Sequence, residues 1–95
     1  MRLRFKMLHG KPNKNPNDFA LCIKKDYAEV VHHDNQTFIQ IKCNWPGELQ
    51  KFSDFIKQYI GDGFITTNRY LYIPSEWVFM DKESLYPKDE EEMCD

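Results

Sequence analysis

PGELQKFSDFIKQYI, Pro46 to Ile60, is the stretch whose period decides the fold. Leu49, Phe52, Phe55, Ile56, Tyr59 and Ile60 recur at spacings of three and four, so an α-helix gathers them on one stripe. Glu48, Gln50, Lys51, Asp54, Lys57 and Gln58 fall mostly on the other side. Asn44 is an N-cap candidate, Pro46 suits a first turn, and Gly61 and Gly63 suit a C-terminal stop. No other segment sustains a helical period. A stripe this apolar needs a surface to cover it, and the sequence on either side reads as strands.

Immediately upstream, Thr37 to Cys43 alternates, with Ile39, Ile41 and Cys43 facing inward and Phe38, Gln40 and Lys42 outward. Asp34-Asn35 is a hairpin signal that joins this strand to a weaker one over Tyr27 to His32. Lys24, Lys25 and Asp26 form a turn, and Phe19 to Ile23 is a further strand with Phe19, Leu21 and Ile23 on one face. Gly10 to Asp18, rich in Pro, Asn and Lys, reads as a loop too long for a tight hairpin. Arg2 to Leu8 reads as a half-buried strand, Leu3, Phe5 and Met7 inward and Arg2, Arg4 and Lys6 outward.

Downstream of the helix, Phe64 to Thr67 and Tyr70 to Ile73 form a second hairpin around Asn68-Arg69. Leu71 and Ile73 share one face, Tyr70 and Tyr72 the other, and Pro74 ends the ladder. Trp77 to Met80 is compatible with a strand or a short helix. The order ββββαββ(β), with short turns, implies an α+β fold: an antiparallel sheet of about five strands with the helix across one face. Residues 1–80 form one domain in this reading, and 81–95 an acidic, flexible C-terminal tail.

The totals agree with one small domain. Ninety-five residues bury enough surface for one core without staples, and aromatics make up 15 % of the chain. Three cysteines, Cys22, Cys43 and Cys94, cannot all pair within one chain and show no close knuckle spacing. No apolar run is long enough for a membrane span or a signal peptide, so the expectation is a cytoplasmic protein with free thiols and no membrane partner. The net charge of −2 conceals a basic start, +5 over residues 1–16, and an acidic end, −5 over residues 81–95.

Candidate chemistry is sparse. His32 and His33 are neighbours on a strand and point to opposite faces, so they do not readily converge on one metal, and a zinc site joining one of them to Cys22 and Cys43 would lack paired knuckles. No nucleophile elbow, phosphate loop or catalytic-helix pattern surrounds the cysteines, which read as small buried residues. No enzyme activity, metal or cofactor is expected. Small domains without catalytic groups act by binding, and an exposed sheet face or strand edge is an ordinary docking surface. The expected function is therefore a protein-binding module, an adaptor or inhibitor, or a homodimer. Its size and aromatic content would suit an accessory protein of a virus or mobile element. Phe38, Tyr70, Tyr72 and Trp77 are the candidate anchors, with Arg2, Arg4 and Lys6 as charged contacts. The alternative is single-stranded nucleic-acid binding through the same basic and aromatic face.

Overall fold

The computed structural model describes residues 2–80, the side chain of Lys25 excepted. In chain order the elements are β1 (Arg2–Arg4), β2 (Met7–Leu8), β3 (Lys11–Pro12), β4 (Ala20–Cys22), β5 (Ala28–His33), β6 (Gln36–Lys42), α1 (Pro46–Phe55), β7 (Ile65–Thr66) and β8 (Tyr70–Pro74). The fold is α+β, with antiparallel sheets and one long helix. The expected acidic tail, residues 81–95, lies outside the described residues.

The main sheet has four strands in the order β5-β6-β8-β7. Ile39 pairs with Ile73 and Ile41 with Leu71, so the period-two apolar sets of β6 and β8 fall on one face. All four side chains are fully buried. The β5–β6 turn is closed by Asp34 and Asn35 at φ +49° and +64°, the left-handed pair that a two-residue hairpin requires.

The sheet of about five strands foreseen from the sequence takes the form of a four-stranded sheet and two two-stranded ones. β1 pairs with β4, Leu3 opposite Leu21, in a separate two-stranded sheet. The other side of this chain segment is used as well: Phe5 bridges Val78, Lys6 N–H donates to Trp77 O at 2.7 Å, and Phe79 N–H donates to Arg4 O at 3.0 Å. The 3₁₀ turn Ser75–Trp77 redirects the chain from β8 into this pairing. A long strand through Leu8 does not form, because the chain bends at Lys6 and reverses at His9-Gly10. Those two residues have φ +50° and +83°, so the segment expected as one open loop begins with a tight hairpin, β2–β3. Asn13 ties that hairpin back, its side-chain Nδ2 donating to Phe5 O and its backbone N–H to Lys6 O.

α1 spans the expected residues, but its last turn widens to π geometry over Ile56–Ile60. Gly61 N–H donates to Ile56 O at 2.8 Å, and His9 closes the end by donating its backbone N–H to Ile60 O and placing Nε2 against Gln58 O. At the other end Trp45, not Asn44, is the N-cap residue. Glu48 reaches back past the N-cap, and its Oε1 accepts from Asn44 N–H at 2.9 Å, which ties the residue before the cap to the first turn. Ile56 and Ile60 are buried, and Leu49, Phe52 and Phe55 pack against the core, but Tyr59, the sixth residue of the expected stripe, stays 39 % exposed beside Phe19 and Phe55. The core is thus enclosed by the inner face of the four-stranded sheet, by Leu3, Phe5, Leu21 and Val78, and by the helix.

Candidate functional site: outer face and free edge of the sheet

The hydrogen-bond phase of the sheet follows from the turns. A two-residue hairpin closed by His33 and Gln36 makes that pair hydrogen-bonded, and the pairs then alternate. His33, Val31 and Glu29 therefore bond toward β6, while the N–H and C=O groups of Ala28, Val30 and His32 point away from it. The far side of β6 agrees: Cys43 N–H donates to Arg69 O at 2.7 Å, so the odd residues of β6 bond toward β8. β5 has six residues and is paired on one side only among the described residues. Among the described residues its other side leaves the N–H and C=O groups of Val30 and His32 unpaired, while Ala28 closes the 3₁₀ turn Lys25–Tyr27.

On the outer face of this sheet, Glu29, Gln40, Tyr72 and Ile65 stand in one row across all four strands. Gln40 Nε2 donates to Tyr72 Oη at 3.0 Å, and the Tyr70 and Tyr72 rings lie 6.3 Å apart. Ile65 is 51 % exposed, a large aliphatic side chain open to water. Tyr70 and Tyr72 are partly exposed on this face. Phe38 departs from the expected exposed anchor: it lies on the same face but is only 7 % exposed. Val31 and Pro74 flank it in register, and Tyr72 meets it edge-on at 6.4 Å.

Trp77 is also used internally. Its ring lies against Gly61 and Gly63 and meets Phe64 edge-on at 6.5 Å. Gly63 has φ +135°, a conformation that side chains with a Cβ rarely adopt. The four expected aromatic anchors thus resolve into two partly exposed tyrosines, one buried Phe and one indole packed on the molecule's own glycines.

The basic residues lie elsewhere. Arg2 and Arg4 are on β1 and Lys6 follows it, outside the four-stranded sheet. Arg4 and Lys6 flank the ring of Phe79, at 5.5 Å and 5.7 Å from its centroid. Phe79 is the residue that reading the sequence missed. Alternation around the buried Val78 would have placed it opposite the core, but the ambiguous Trp77 to Met80 segment hid that signal.

The candidate reactive groups are dispersed. Cys43 is a free cysteine, 1 % exposed, and burial together with the nearby Glu48 carboxylate pushes its thiol up to about 11. Such a thiol is a poor nucleophile at neutral pH. Cys22, expected as a second free thiol, has a bonding partner and does not present one. His32 Nδ1 lies 3.1 Å from Thr37 Oγ1, and His33 Nε2 3.2 Å from Asp34 Oδ2, both at the exposed hairpin end. Among the described residues no three His, Cys, Asp or Glu side chains cluster to hold a metal ion, and no helix is long and apolar enough to cross a membrane. Compared with protein-family models, curated proteins and solved structures, the chain matches none.

Proposed function

We propose that the protein is a non-catalytic protein-binding module that docks its partner along β5 and the adjoining outer face of the sheet. The observation that carries this reading is the edge of β5 at Val30 and His32, unpaired among the described residues. A strand of this length, open on one side, is a template for an added strand, and natural proteins usually shorten or cover such edges. The neighbouring face supplies side-chain contacts through Tyr70, Tyr72 and Ile65, of which tyrosine is a residue type that interfaces favour. A second copy of the chain can use the same edge, which makes a homodimer one form of this proposal.

The ladder phase supplies the test. His32→Pro removes a donor that faces the free edge and leaves the β5–β6 bonds intact; the His32 side chain is exposed, so the core is untouched. His33→Pro instead removes a donor bonded to Gln36 and weakens the hairpin itself. The expected result is that wild-type protein forms a defined dimer in sedimentation or retains a stoichiometric partner from its native host. His32→Pro keeps its thermal stability within about 1 kcal/mol of wild type but loses the assembly. A wild-type protein that sediments only as a monomer and retains no stoichiometric partner refutes the reading.

A second reading, single-stranded nucleic-acid binding, is favoured by one feature: Arg4 and Lys6 around Phe79 combine cations with a ring on which a base can stack. It predicts oligonucleotide binding that weakens steeply with salt. Absence of binding to a single-stranded oligonucleotide at low salt removes it.

A further inference from the structure

Where β6 runs into α1, the surface is recessed by a cavity of about 220 Å³. Lys42, which ends the outer-face row of β6 opposite Tyr70, is the one lining residue the recess shares with the surface described above. Ile23 and Phe52 are its apolar lining, Tyr27 and Trp45 its aromatic lining, and Lys24 and Lys42 its cations. Three observations suggest what would occupy it.

Trp45 is the first. It is 57 % exposed, the most exposed large hydrophobic side chain among the described residues. Its ring nevertheless has a defined seat: a Cβ at Gly47 would lie 3.1 Å from Trp45 Cδ1, so the glycine leaves room for the indole over the first helical turn. A large aromatic surface that is both held in place and open to water is suited to receive another ring.

Charge is the second. Neither Lys24 nor Lys42 makes an ion pair among the described residues, and Lys24 Nζ lies 5.9 Å from the centroid of the Tyr27 ring. The one carboxylate in the lining, Glu48, already accepts the Asn44 N–H through Oε1. Among the described residues the lining therefore carries one more cation than anion, and neither ammonium group is held in an ion pair.

Size is the third. A dry cavity of about 150 Å³ holds one benzene molecule. At about 220 Å³ this recess has room to seat a single six-membered ring with one small substituent. We propose that it is a binding site for a single-ring aromatic anion, a ring bearing one phosphate or carboxylate. The ring lies against Trp45 and Tyr27 over the apolar lining, and Lys24 and Lys42 take the anionic group. The same chemistry is presented by a free aryl phosphate and by a phosphotyrosine side chain on another protein.

The test is titration of the full chain with phenyl phosphate, followed by the indole N–H resonance of Trp45 and by tryptophan fluorescence. Phenyl phosphate is expected to shift the Trp45 resonance saturably while the Trp77 resonance stays in place. The double variant Lys24→Gln, Lys42→Gln, whose native side chains are exposed and whose fold circular dichroism can verify, is expected to bind at least about tenfold more weakly, since hydrogen bonds to charged groups contribute at that level. Inorganic phosphate and phenol, each offering half of the chemistry, are expected to bind at least about tenfold more weakly than phenyl phosphate. A phosphotyrosine peptide that binds tighter than phenyl phosphate supports the site with a protein-borne ligand; equal or weaker binding supports it with a free one. No saturable shift of Trp45 up to millimolar phenyl phosphate, or unchanged affinity in the double lysine variant, overturns the proposal.

Discussion

Cys43 shows how far a residue's chemistry is decided by where the strand carries it. It continues the inward set Ile39 and Ile41 and ends up 1 % exposed beside the first turn of the helix. Burial, with a smaller contribution from the Glu48 carboxylate, raises its thiol from 9.0 to about 11. The folded value lies above the unfolded one, so the neutral thiol's contribution to stability is whole below pH 9 and is lost as pH rises toward 11. Two units correspond to about 2–3 kcal/mol at most. Lysines and tyrosines also titrate in that range, so the clean measurement is a difference. Urea unfolding of wild type and Cys43→Ala at pH 7 and at pH 10.5 should show wild type losing more of its stability with pH than the variant. Equal losses would mean that the thiol is not held neutral by the fold. At neutral pH, peptide mapping after a thiol reagent should find Cys43 unlabelled in the native protein and labelled in denaturant.

At the scale of elements, the prolines and turns show which local signals suffice. Pro74 pairs with Phe38 and Pro12 with Met7. Both are non-hydrogen-bonded positions in the phase set by the adjacent turns, so the missing N–H costs no ladder bond. The Asp34-Asn35 turn was legible from its residue types because left-handed φ at two successive residues is met by few of them. Asn35 at φ +64° tolerates this conformation less well than glycine does. Asn35→Gly should therefore raise stability by about 0.5 kcal/mol, and Asn35→Val should lower it by about 1–2 kcal/mol, both read as shifts in urea midpoint at constant slope. A destabilised glycine variant would show that the Asn side chain contributes more than its backbone conformation costs. Period-two alternation likewise made the inward residues of β6 and β8 legible, and with them the outward Tyr70 and Tyr72. The same alternation failed for Phe38, because it tells which face a side chain points to but not whether Val31, Pro74 and Tyr72 close over it. It failed for β2–β3, because His9-Gly10 is not among the common turn pairs.

On the scale of the whole molecule, what the sequence did not disclose is long-range pairing. Nothing local in Leu3 and Phe5 says that their strand will lie between β4 and residues 77–79 rather than extend the four-stranded sheet. That choice depends on the remaining apolar surface: α1 covers part of the inner sheet face, and Leu3, Phe5, Leu21 and Val78 complete the enclosure, three of them wholly buried and Leu21 7 % exposed. The same step fixed the fate of the basic row, since Arg4 and Lys6 follow their strand to Phe79 and away from the tyrosines. A core drawn from both ends of the described chain makes a claim about cooperativity. If the two-stranded sheet were an appendage, Leu3→Ala would loosen it alone, and far-UV circular dichroism of the four-stranded sheet would melt unchanged. If the core is shared, Leu3→Ala and Ile73→Ala, at opposite sides of it, should each cost about 2–5 kcal/mol. Each, in a Trp45→Phe background, should also lower a single transition that coincides when followed by Trp77 fluorescence and by circular dichroism. Trp77 is the informative probe because it adjoins Val78 in the linking segment and packs on Gly61 and Gly63 at the end of the helix. Two separated transitions in the Leu3→Ala variant, the fluorescence one shifted and the dichroism one not, would show that the sheets fold independently and that the free β5 edge belongs to a four-stranded unit able to stand alone.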